Sequence, residues 1–194
     1  MICHLYRPKI ARMKKLPTLV FLSFSTLFLL SALGCQKDPP EAILPTEVEL
    51  GASVVYLNGE EINFITEILY DSINRVMSYG FGESLNQGQL VNSLGFGRLP
   101  YSTGEFSLTT ENILFKKART SFHQTVSEDL DGYEYKLIDA DEGFFNVEYL
   151  DTINLEVKGR FKAKFKRTAK NGVDGGLSKY LTFQGVFYEN YTFK

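Results

Sequence analysis

The chain of 194 residues contains no tryptophan, only two cysteines and only two histidines. The cysteines are Cys3 and Cys35, so the residues after position 35 have no thiol and form no disulfide bond. His123 is the single histidine beyond His4, which excludes a zinc site built from histidine and cysteine ligands in that part of the chain. A serine hydrolase would need His123 as its general base, but its neighbours are typical of a strand and no Gly-x-Ser-x-Gly motif is present.

Tryptophan is absent, although the chain carries 16 phenylalanines and 11 tyrosines. Carbohydrate-binding surfaces commonly present exposed tryptophan or tyrosine rings, so the absence of tryptophan weakens a sugar-binding interpretation without excluding it. Aromatic rings bury a large apolar area, and we expect most of them in a hydrophobic core.

Basic residues are also few outside the N-terminal segment. Residues 1–34 contain five basic residues and no acidic one, which leaves 16 basic and 23 acidic residues and a net charge of −7 for residues 35–194. This surplus of negative charge suits a solvated domain and argues against nucleic acid as a partner.

An uncharged hydrophobic segment occupies residues 16–34, directly after the basic pair Lys14-Lys15. A basic start, an apolar run and small residues at its end are typical of a secretory signal peptide that is cleaved. We therefore predict a signal peptide helix within residues 1–34, with Met13 as the true start. The alternative is a permanent transmembrane helix, which needs about 20 apolar residues, but the small residues at the end of the run favour cleavage.

Cys35 follows the small residues Ser31-Ala32-Leu33-Gly34 and precedes Gln36-Lys37-Asp38. This arrangement resembles the processing site of bacterial lipoproteins, in which the thiol is acylated and the chain is cut before the cysteine. Ala32 stands where such sites usually carry leucine. The polar residues 36–38 resemble the signal that exports lipoproteins of Bacteroidota. The resemblance implies a lipid anchor at Cys35 in the outer membrane, at the cell surface or alternatively on the periplasmic face.

Residues 35–47 combine charged residues with Pro39, Pro40 and Pro45. This composition predicts an extended, poorly packed spacer that follows the lipidated cysteine. Residues 48–194 are numerous enough for one domain, because a domain of this size buries roughly 68–70% of the surface that its unfolded chain exposes. We therefore predict a single domain over residues 48–194.

Alternation of polar and apolar residues dominates this domain. Between residues 157 and 166 the even positions are basic, while the odd positions are apolar or glycine. A period of two places one face of a strand in water and the other in a core. Residues 180–188 repeat the pattern, and Asn171-Gly172 and Asp174-Gly175 between them are typical of a hairpin reversal.

The same pattern and the turn residues between the segments predict an all-β fold. We expect a single antiparallel β-sandwich or flattened barrel of about 9–10 strands. For residues 111–120 the sequence is compatible with a strand, a loop or a single helical turn. The predicted strands are Ser53–Leu57, Ile62–Asp71, Arg75–Phe81, Gln89–Phe96, Glu105–Thr109, Ser121–Val126, Tyr133–Asp139, Phe144–Leu150, Val157–Arg167 and Tyr180–Tyr188.

Several turn and core motifs point to one family. They are Val54–Gly59, Gly104–Leu108, Gly143–Leu150, Asp151–Asn154, Gly159–Phe165 and Phe183–Phe187. Together they resemble an uncharacterised family of all-β, lipocalin-like lipoproteins of Bacteroidota, over most of residues 50–190. In that family a turn precedes a hydrophobic-x-Gly-x-Phe-x-x-x-Phe segment, and a final Gly-x-Phe strand follows. The resemblance implies a fold and a location; it implies no activity, because the family has no established one.

The basic even positions form what we call the basic stripe. Its members are Lys158, Arg160, Lys162, Lys164 and Lys166. The basic stripe could bind an anionic envelope polymer, the phosphates of the outer leaflet or an acidic partner protein. The simpler interpretation is a solvated strand face whose charges pair across the sheet with acids such as Glu148, Glu156 and Glu189, and we favour it because cross-strand ion pairs are ordinary stabilisers of sheets.

Two groups of acidic residues raise the question of a calcium site. They are Glu128, Asp129 and Asp131, and then Asp139, Asp141 and Glu142. Calcium prefers several oxygen ligands from one loop, but Gly143 and Phe144 interrupt the second group. Acidic residues before a glycine are also typical of hairpin tips. We therefore predict no metal site and no cofactor.

Gly80-Phe81-Gly82 and Gly95-Phe96-Gly97 lie on either side of a loop that contains Asn86, Gln87 and Gly88. Neither motif has the further glycine and helix of a phosphate-binding fingerprint, and glycines within strands commonly mark bulges or bends. If the domain has a ligand pocket, the aromatic residues of this region are predicted to form its rim. They are Tyr79, Phe81, Phe96 and Tyr101.

No catalytic motif emerges, so we predict a non-enzymatic lipoprotein of the cell envelope that acts as a binding or accessory module. The alternative is a lipocalin-like carrier of a small hydrophobic ligand, and an enzyme is the third hypothesis. An interior cavity of a few hundred Å³ would favour the carrier. A filled core with an exposed flat face would favour the binding module, and clustered buried carboxylates would favour an enzyme. The expected partners are the membrane, through the anchor, and an envelope polymer, a protein or a small hydrophobic molecule.

Overall fold

The computed structural model describes residues 41–84, 90–111, 117–127, 130–168, 172 and 174–194. The predicted signal peptide, Cys35, the loop residues 86–88 and the acidic pair Glu128 and Asp129 lie outside the described residues. Those that are described form thirteen β-strands and no helix, which confirms the all-β prediction. The strands are β1 (Ala52–Leu57), β2 (Glu60–Ile62), β3 (Ile65–Asp71), β4 (Val76–Ser84), β5 (Leu90–Pro100), β6 (Gly104–Thr109), β7 (Lys117–Ser127), β8 (Leu130–Asp131), β9 (Tyr135–Ile138), β10 (Phe144–Asp151), β11 (Glu156–Arg167), β12 (Tyr180–Asn190) and β13 (Thr192–Phe193).

The strand count exceeds the predicted nine or ten because of three very short strands. β2, β8 and β13 have two or three residues each, too few to show a period. The ten longer strands correspond to the ten predicted segments. In the described part of the chain, no helix is long and apolar enough to cross a membrane.

The strands form one mixed sheet rather than a purely antiparallel one. Its hydrogen-bonded order is β13-β3-β4-β5-β7-β6-β10-β11-β12-β1-β2, with β8 beside β7 and β9 beside β11. Two pairs are parallel, β6 with β7 and β13 with β3, and they correct the antiparallel prediction. The error has a simple cause: alternation reports which face a side chain occupies and is identical for both strand directions.

Aromatic rings from strands that are distant in this order meet in one core. Neighbouring ring centroids are 4.6–6.2 Å apart, and each pair adds about 0.5–1.5 kcal/mol to the free energy gained by burial. The two ends of the order also approach each other, since the Ser53 and Thr66 hydroxyls lie 2.6 Å apart. The rings are those of Tyr79, Phe81, Phe96, Phe145, Phe161 and Phe187.

Strands β11 and β12 form the longest pairing and show how the core is packed. They pair from Glu156 with Asn190 to Lys166 with Tyr180. On β11 the odd positions from 157 to 165 are buried, as the alternation predicts. A Cβ atom on Gly185 would lie 2.6 Å from the Phe161 ring, so this position needs glycine to admit the ring.

The spacer predicted over residues 35–47 is described from Glu41 onwards, and there it lies on the outer face of the sheet. Glu41 forms an ion pair with Lys162, and the Ala42 amide donates a hydrogen bond of 2.8 Å to the side-chain oxygen of Gln184. Strand β12 is consequently buried on both faces, with the outward Thr182 only 6% exposed.

Two hairpins at the same end of the sheet close with nearly identical turns. The β3–β4 turn has the sequence Asp71-Ser72-Ile73-Asn74, and the β10–β11 turn has the sequence Asp151-Thr152-Ile153-Asn154. In both, the aspartate accepts hydrogen bonds from the amides of the isoleucine and the asparagine and from the asparagine side chain, over 2.7–3.0 Å. Both isoleucines are nearly fully exposed, at 89% and 88%. We call this end of the sheet, which carries both turns, the turn end.

The C-terminal residues connect the two turns. The Tyr191 amide donates to the carbonyl oxygen of Leu155, and its hydroxyl contacts that of Tyr101. The Tyr101 ring stacks on Tyr70 at a centroid distance of 4.1 Å, and the amide of Lys194 donates to the carbonyl oxygen of Tyr70. The turn end is therefore held together by the last strand.

The turn aspartates make stability depend on acid. Hydrogen bonds from Asn74 and Asn154 hold the pKa of Asp71 and Asp151 below the ordinary value of 3.8. A carboxyl group with a lowered native pKa stabilises the fold above its unfolded pKa and loses this contribution as the pH falls through the native pKa. We expect an Asp71→Ala/Asp151→Ala variant to melt at a lower temperature at pH 6, but to lose less further stability between pH 4 and pH 2 than the original chain.

Thermal melting followed by circular dichroism from pH 2 to pH 6 measures this difference. The matched control is Ser72→Ala, which leaves both carboxyl groups in place. Parallel melting curves of the double variant and the original chain across the acid range would contradict the assignment.

Candidate functional site

On the outer face of β3, β4, β5 and β7, the two middle strands, β4 and β5, carry almost no large side chains. One row across this face, in register, runs from Glu67 through Gly80 and Gly95 to Ser121. In the next row, Leu69 pairs with Ser78 on one side, and Gly97 pairs with Arg119 on the other. Larger side chains on β3 and β7 therefore border a floor of glycine and serine on β4 and β5.

This arrangement creates an open trough, which we call the outer trough. It consists of two adjoining depressions of about 420 Å³ and 410 Å³ that share Leu69 and Ser78. The first lies over the glycine floor and reaches Glu67, Arg119 and Ser121. The second leads towards the turn end and reaches Asp71, Asn74, Arg98 and Lys194.

Two glycines of this floor, Gly80 and Gly97, are not required by the backbone conformation or by the packing of the core. Neither Gly80 nor Gly97 has φ in the left-handed region. A Cβ atom would meet its nearest neighbour at 3.7 Å on Gly80 and 3.8 Å on Gly97, which is ordinary van der Waals contact. Glycine within a strand lowers the free energy of unfolding by roughly 0.5–1 kcal/mol relative to alanine. The two glycines therefore destabilise the domain and leave the surface above them open.

Cations without a partner line the trough. Among the described residues, no carboxylate forms an ion pair with Arg98, Arg119 or Lys194. Lys194 is close enough to Asp71 to contribute to the lowering of its pKa, after the hydrogen bonds of the turn. The trough therefore offers the guanidinium groups of Arg98 and Arg119 to an anion, whereas the ammonium group of Lys194 lies near Asp71.

A β-bulge positions Arg98. Between the pairs Met77–Leu99 and Tyr79–Phe96 the register shifts, so that Ser78 faces an extra residue. Arg98 takes a left-handed conformation there, with φ of 62°. Bulges re-aim a side chain relative to the regular strand, and here the bulge brings Arg98 to the second depression.

The structure places three of the four residues of the predicted ligand rim in the core. Tyr79, Phe81 and Phe96 are each 1% exposed. Tyr101 is partly buried at the turn end. Neighbouring residues of a strand face opposite sides, so the glycines of this region open outwards while the rings between them point into the core.

The basic stripe lies on the outer face of β11, and its middle members are paired with acids. Arg160 forms an ion pair with Glu148, as the favoured interpretation expects, and Lys162 forms one with Glu41. Lys164 lies 2.8 Å from Glu142 and 3.8 Å from Asp139. Exposed pairs of this kind contribute little stability, but they reduce the positive charge available to an external anion.

Of the outer members of the stripe, Lys158 lies beside Tyr188 in the register with β12. Lys166 lies over the ring of Tyr180, with its nitrogen 5.7 Å from the ring centroid. Of the other acids named from sequence, Glu156 accepts a hydrogen bond from the Tyr188 hydroxyl over 2.6 Å. Burial raises the pKa of Glu189 above its ordinary value.

His123 lies on the exposed face of β7. Its Nε2 atom is 3.2 Å from Asp131 Oδ1, and its side chain is 60% exposed. Ser93 is its cross-strand neighbour on β5. The described residues also contain no group of three or more acidic, histidine or cysteine side chains arranged to hold a metal ion.

The sequence pattern predicts neither the cations of the outer trough nor the position of the two similar turns at one end of the sheet. The similarity of the two turns is visible in the sequence, since Asp-Ser-Ile-Asn and Asp-Thr-Ile-Asn differ only in the hydroxylated residue at the second position. No sequence signal marks the three cations of the trough, Arg98, Arg119 and Lys194. They lie in a bulge, in a central strand and at the C-terminus, and only the folded sheet brings these segments together.

The described residues define an all-β protein built on one mixed sheet with an open trough on its outer face. Comparison of the chain with protein-family models, with curated proteins and with solved structures finds no match. What the chain does is therefore inferred from its own fold and from the trough.

Proposed function

We propose that this chain is a non-enzymatic lipoprotein of the cell envelope, anchored in the outer membrane through an acylated Cys35. Its β-domain, a flattened barrel, acts as a binding module that holds an extended anionic polymer, such as an acidic polysaccharide, in the outer trough. The domain faces the cell surface. The observation that carries this proposal is the open glycine-serine floor bordered by unpaired Arg98 and Arg119.

The dimensions of the trough favour a polymer. Three intervals separate β3 from β7, and neighbouring strands lie about 4.8 Å apart, which gives a width of about 14 Å. The two depressions continue one another along β4 and β5. A flat chain of sugar rings fits such an open channel, and the guanidinium groups can bind its carboxylates in a bidentate manner.

The close packing of aromatic rings in the core favours the binding module over a carrier of a small hydrophobic ligand. Carriers enclose cavities of about 300–1,000 Å³. Here the rings of Phe81 and Phe161 lie 4.6 Å apart, and those of Phe96 and Phe161 lie 5.0 Å apart, across the middle of the core. These rings fill the middle of the core among the described residues, which supports the binding module.

An Arg98→Asn/Arg119→Gln variant tests the trough. We expect its dissociation constant for oligogalacturonate, measured by calorimetry, to rise at least tenfold, because each hydrogen bond to a charged group contributes about 1.5–3 kcal/mol and 1.4 kcal/mol corresponds to tenfold. Asparagine is chosen at position 98 because it tolerates the left-handed conformation.

The matched control is Arg160→Gln on the basic stripe, which removes a charge that already has a carboxylate partner. Its affinity should equal that of the original chain. A comparable loss in both variants would point to non-specific attraction, and unchanged affinity in the trough variant would refute the proposed site.

A further inference from the structure

We propose that the end of the sheet opposite the turn end docks on the anionic phosphate headgroups of the leaflet that holds the lipid anchor. We call this surface the lysine end. It is defined by Lys136 on β9, Lys166 on β11, Lys179 and the ring of Tyr180. The inference rests on the proposed acylation of Cys35 and adds an orientation of the domain on the membrane.

Positive charge is concentrated at the lysine end, where the described residues supply no acidic side chain within ion-pair distance. Lys136 lies directly opposite Lys166 in the register of β9 with β11, and all three lysines are exposed. None of them forms an ion pair within the described part of the chain. Like charges placed directly opposite each other destabilise a sheet, so this arrangement gains from an external anion.

Tyr180 adds the second property of a membrane-facing surface. The nitrogen of Lys166 lies 5.7 Å and that of Lys179 lies 5.6 Å from the centroid of its ring. Tyrosine is enriched where a protein meets the headgroup region, because its ring is apolar and its hydroxyl is polar. Lysines around a tyrosine therefore fit an anionic lipid surface.

The described segment before β1 runs towards the same end of the sheet as it is followed back along the chain. Gly51 donates to Tyr188 near the turn end, whereas Ala42 contacts Gln184 further along β12. The segment therefore runs towards Tyr180 as it is followed back to residue 41. From Cys35 to Glu41 there are six residue steps, and a chain of this length spans at most about 20 Å.

The lysine end lies within this distance. Glu41 pairs with Lys162, and Lys166 is four residues further along β11, or about 13 Å. The turn end lies in the other direction along the same strand. The anchor therefore reaches a membrane that contacts the lysine end more easily than one that contacts the turn end.

The charge of the rest of the chain makes the contact directional. Residues 35–194 carry a net charge of −7, so most of the surface is repelled by an anionic leaflet. A lipid anchor combined with a basic patch is a common pair of membrane signals, and each lysine near an anionic surface strengthens attachment about fivefold.

Fluorescence of a site-specific probe tests the orientation. The full mature chain, acylated at Cys35, is inserted into vesicles of phosphatidylcholine with 30% phosphatidylglycerol and carries an environment-sensitive label at Ser178→Cys or at Ser72→Cys. We expect the emission at position 178 to shift to shorter wavelength and the emission at position 72 to stay unchanged. The shift should disappear in pure phosphatidylcholine vesicles.

Charge reversal identifies the residues responsible. Lys166→Glu/Lys179→Glu should abolish the shift at position 178 and leave the melting temperature of the domain within a few degrees. Arg75→Glu/Lys117→Glu, which reverses two exposed cations elsewhere, should leave the shift intact. A shift that persists in the first variant, or that is equal at positions 72 and 178, would overturn the docking proposal.

Mass spectrometry of the chain purified from cell envelopes separates the hypothesis of the lipid anchor from that of docking by the lysine end. An unmodified Cys35 in the cell envelope would refute the lipid anchor and, with it, the proposed function. An acylated Cys35 without a shift at position 178 would refute only the docking of the lysine end.

Discussion

Replacing Phe161 with alanine lowers the free energy of unfolding by about 3–5 kcal/mol, the usual cost of truncating a fully buried phenylalanine. The Phe161 side chain is inaccessible to solvent, and its ring contacts those of Phe81 and Phe96 at centroid distances of 4.6 and 5.0 Å. The neighbouring strands cannot collapse into the space it leaves, because they are fixed by pairing on both sides of β11.

Urea denaturation followed by circular dichroism measures this loss. Phe193→Ala is the matched control: the same change at a ring that is 58% exposed should cost about 1 kcal/mol or less, because little apolar area is removed from contact. Similar costs at the two positions would show that the rings around Phe161 do not form the centre of the core.

Alanine substitutions at two sets of glycines should change stability in opposite directions. Gly185→Ala destabilises the fold by about 1–3 kcal/mol or more, the usual cost of overpacking, because its Cβ atom would lie 2.6 Å from the Phe161 ring. Gly80→Ala and Gly97→Ala stabilise it by roughly 0.5–1 kcal/mol each, because their Cβ atoms have room and the backbone is not left-handed.

The same trough variants should bind oligogalacturonate more weakly while they melt at a higher temperature. Two methyl groups on the floor of the outer trough prevent close approach of a flat ligand to the backbone. Calorimetric binding and thermal melting of Gly80→Ala/Gly97→Ala test both effects on one protein. If this variant is less stable than the original chain, its glycines have a structural role and no longer support a binding site.

Much of the fold was predictable because alternation is a local property of the sequence. On β11 the buried Val157, Phe161 and Phe165 alternate with polar residues, and this pattern needs no knowledge of the neighbouring strands. The parallel pairing of β6 with β7 was not predictable, since strand direction leaves no trace in the period. Strands of two residues, such as β13, are too short for any pattern.

The outer trough could not be predicted from sequence for a different reason. Gly80, Gly95 and Arg119 come from three strands, and Lys194 comes from the end of the chain. Their proximity depends on the order of the strands in the sheet. The Gly-Phe-Gly motifs did mark the right region, but the sequence alone could not show that the outward glycines, and not the rings, form its open surface.

The first and last strands of the described domain each pair with a strand that is distant in the sequence, and this has a consequence for folding. β1 pairs with β12, and β13 pairs with β3, so both pairings wait for the C-terminal strands. Contacts between residues so distant in sequence form slowly, because closing a long loop costs entropy before any contact compensates for it. With this connectivity, the sheet is completed only late in synthesis, after the segments that form β12 and β13 have left the ribosome.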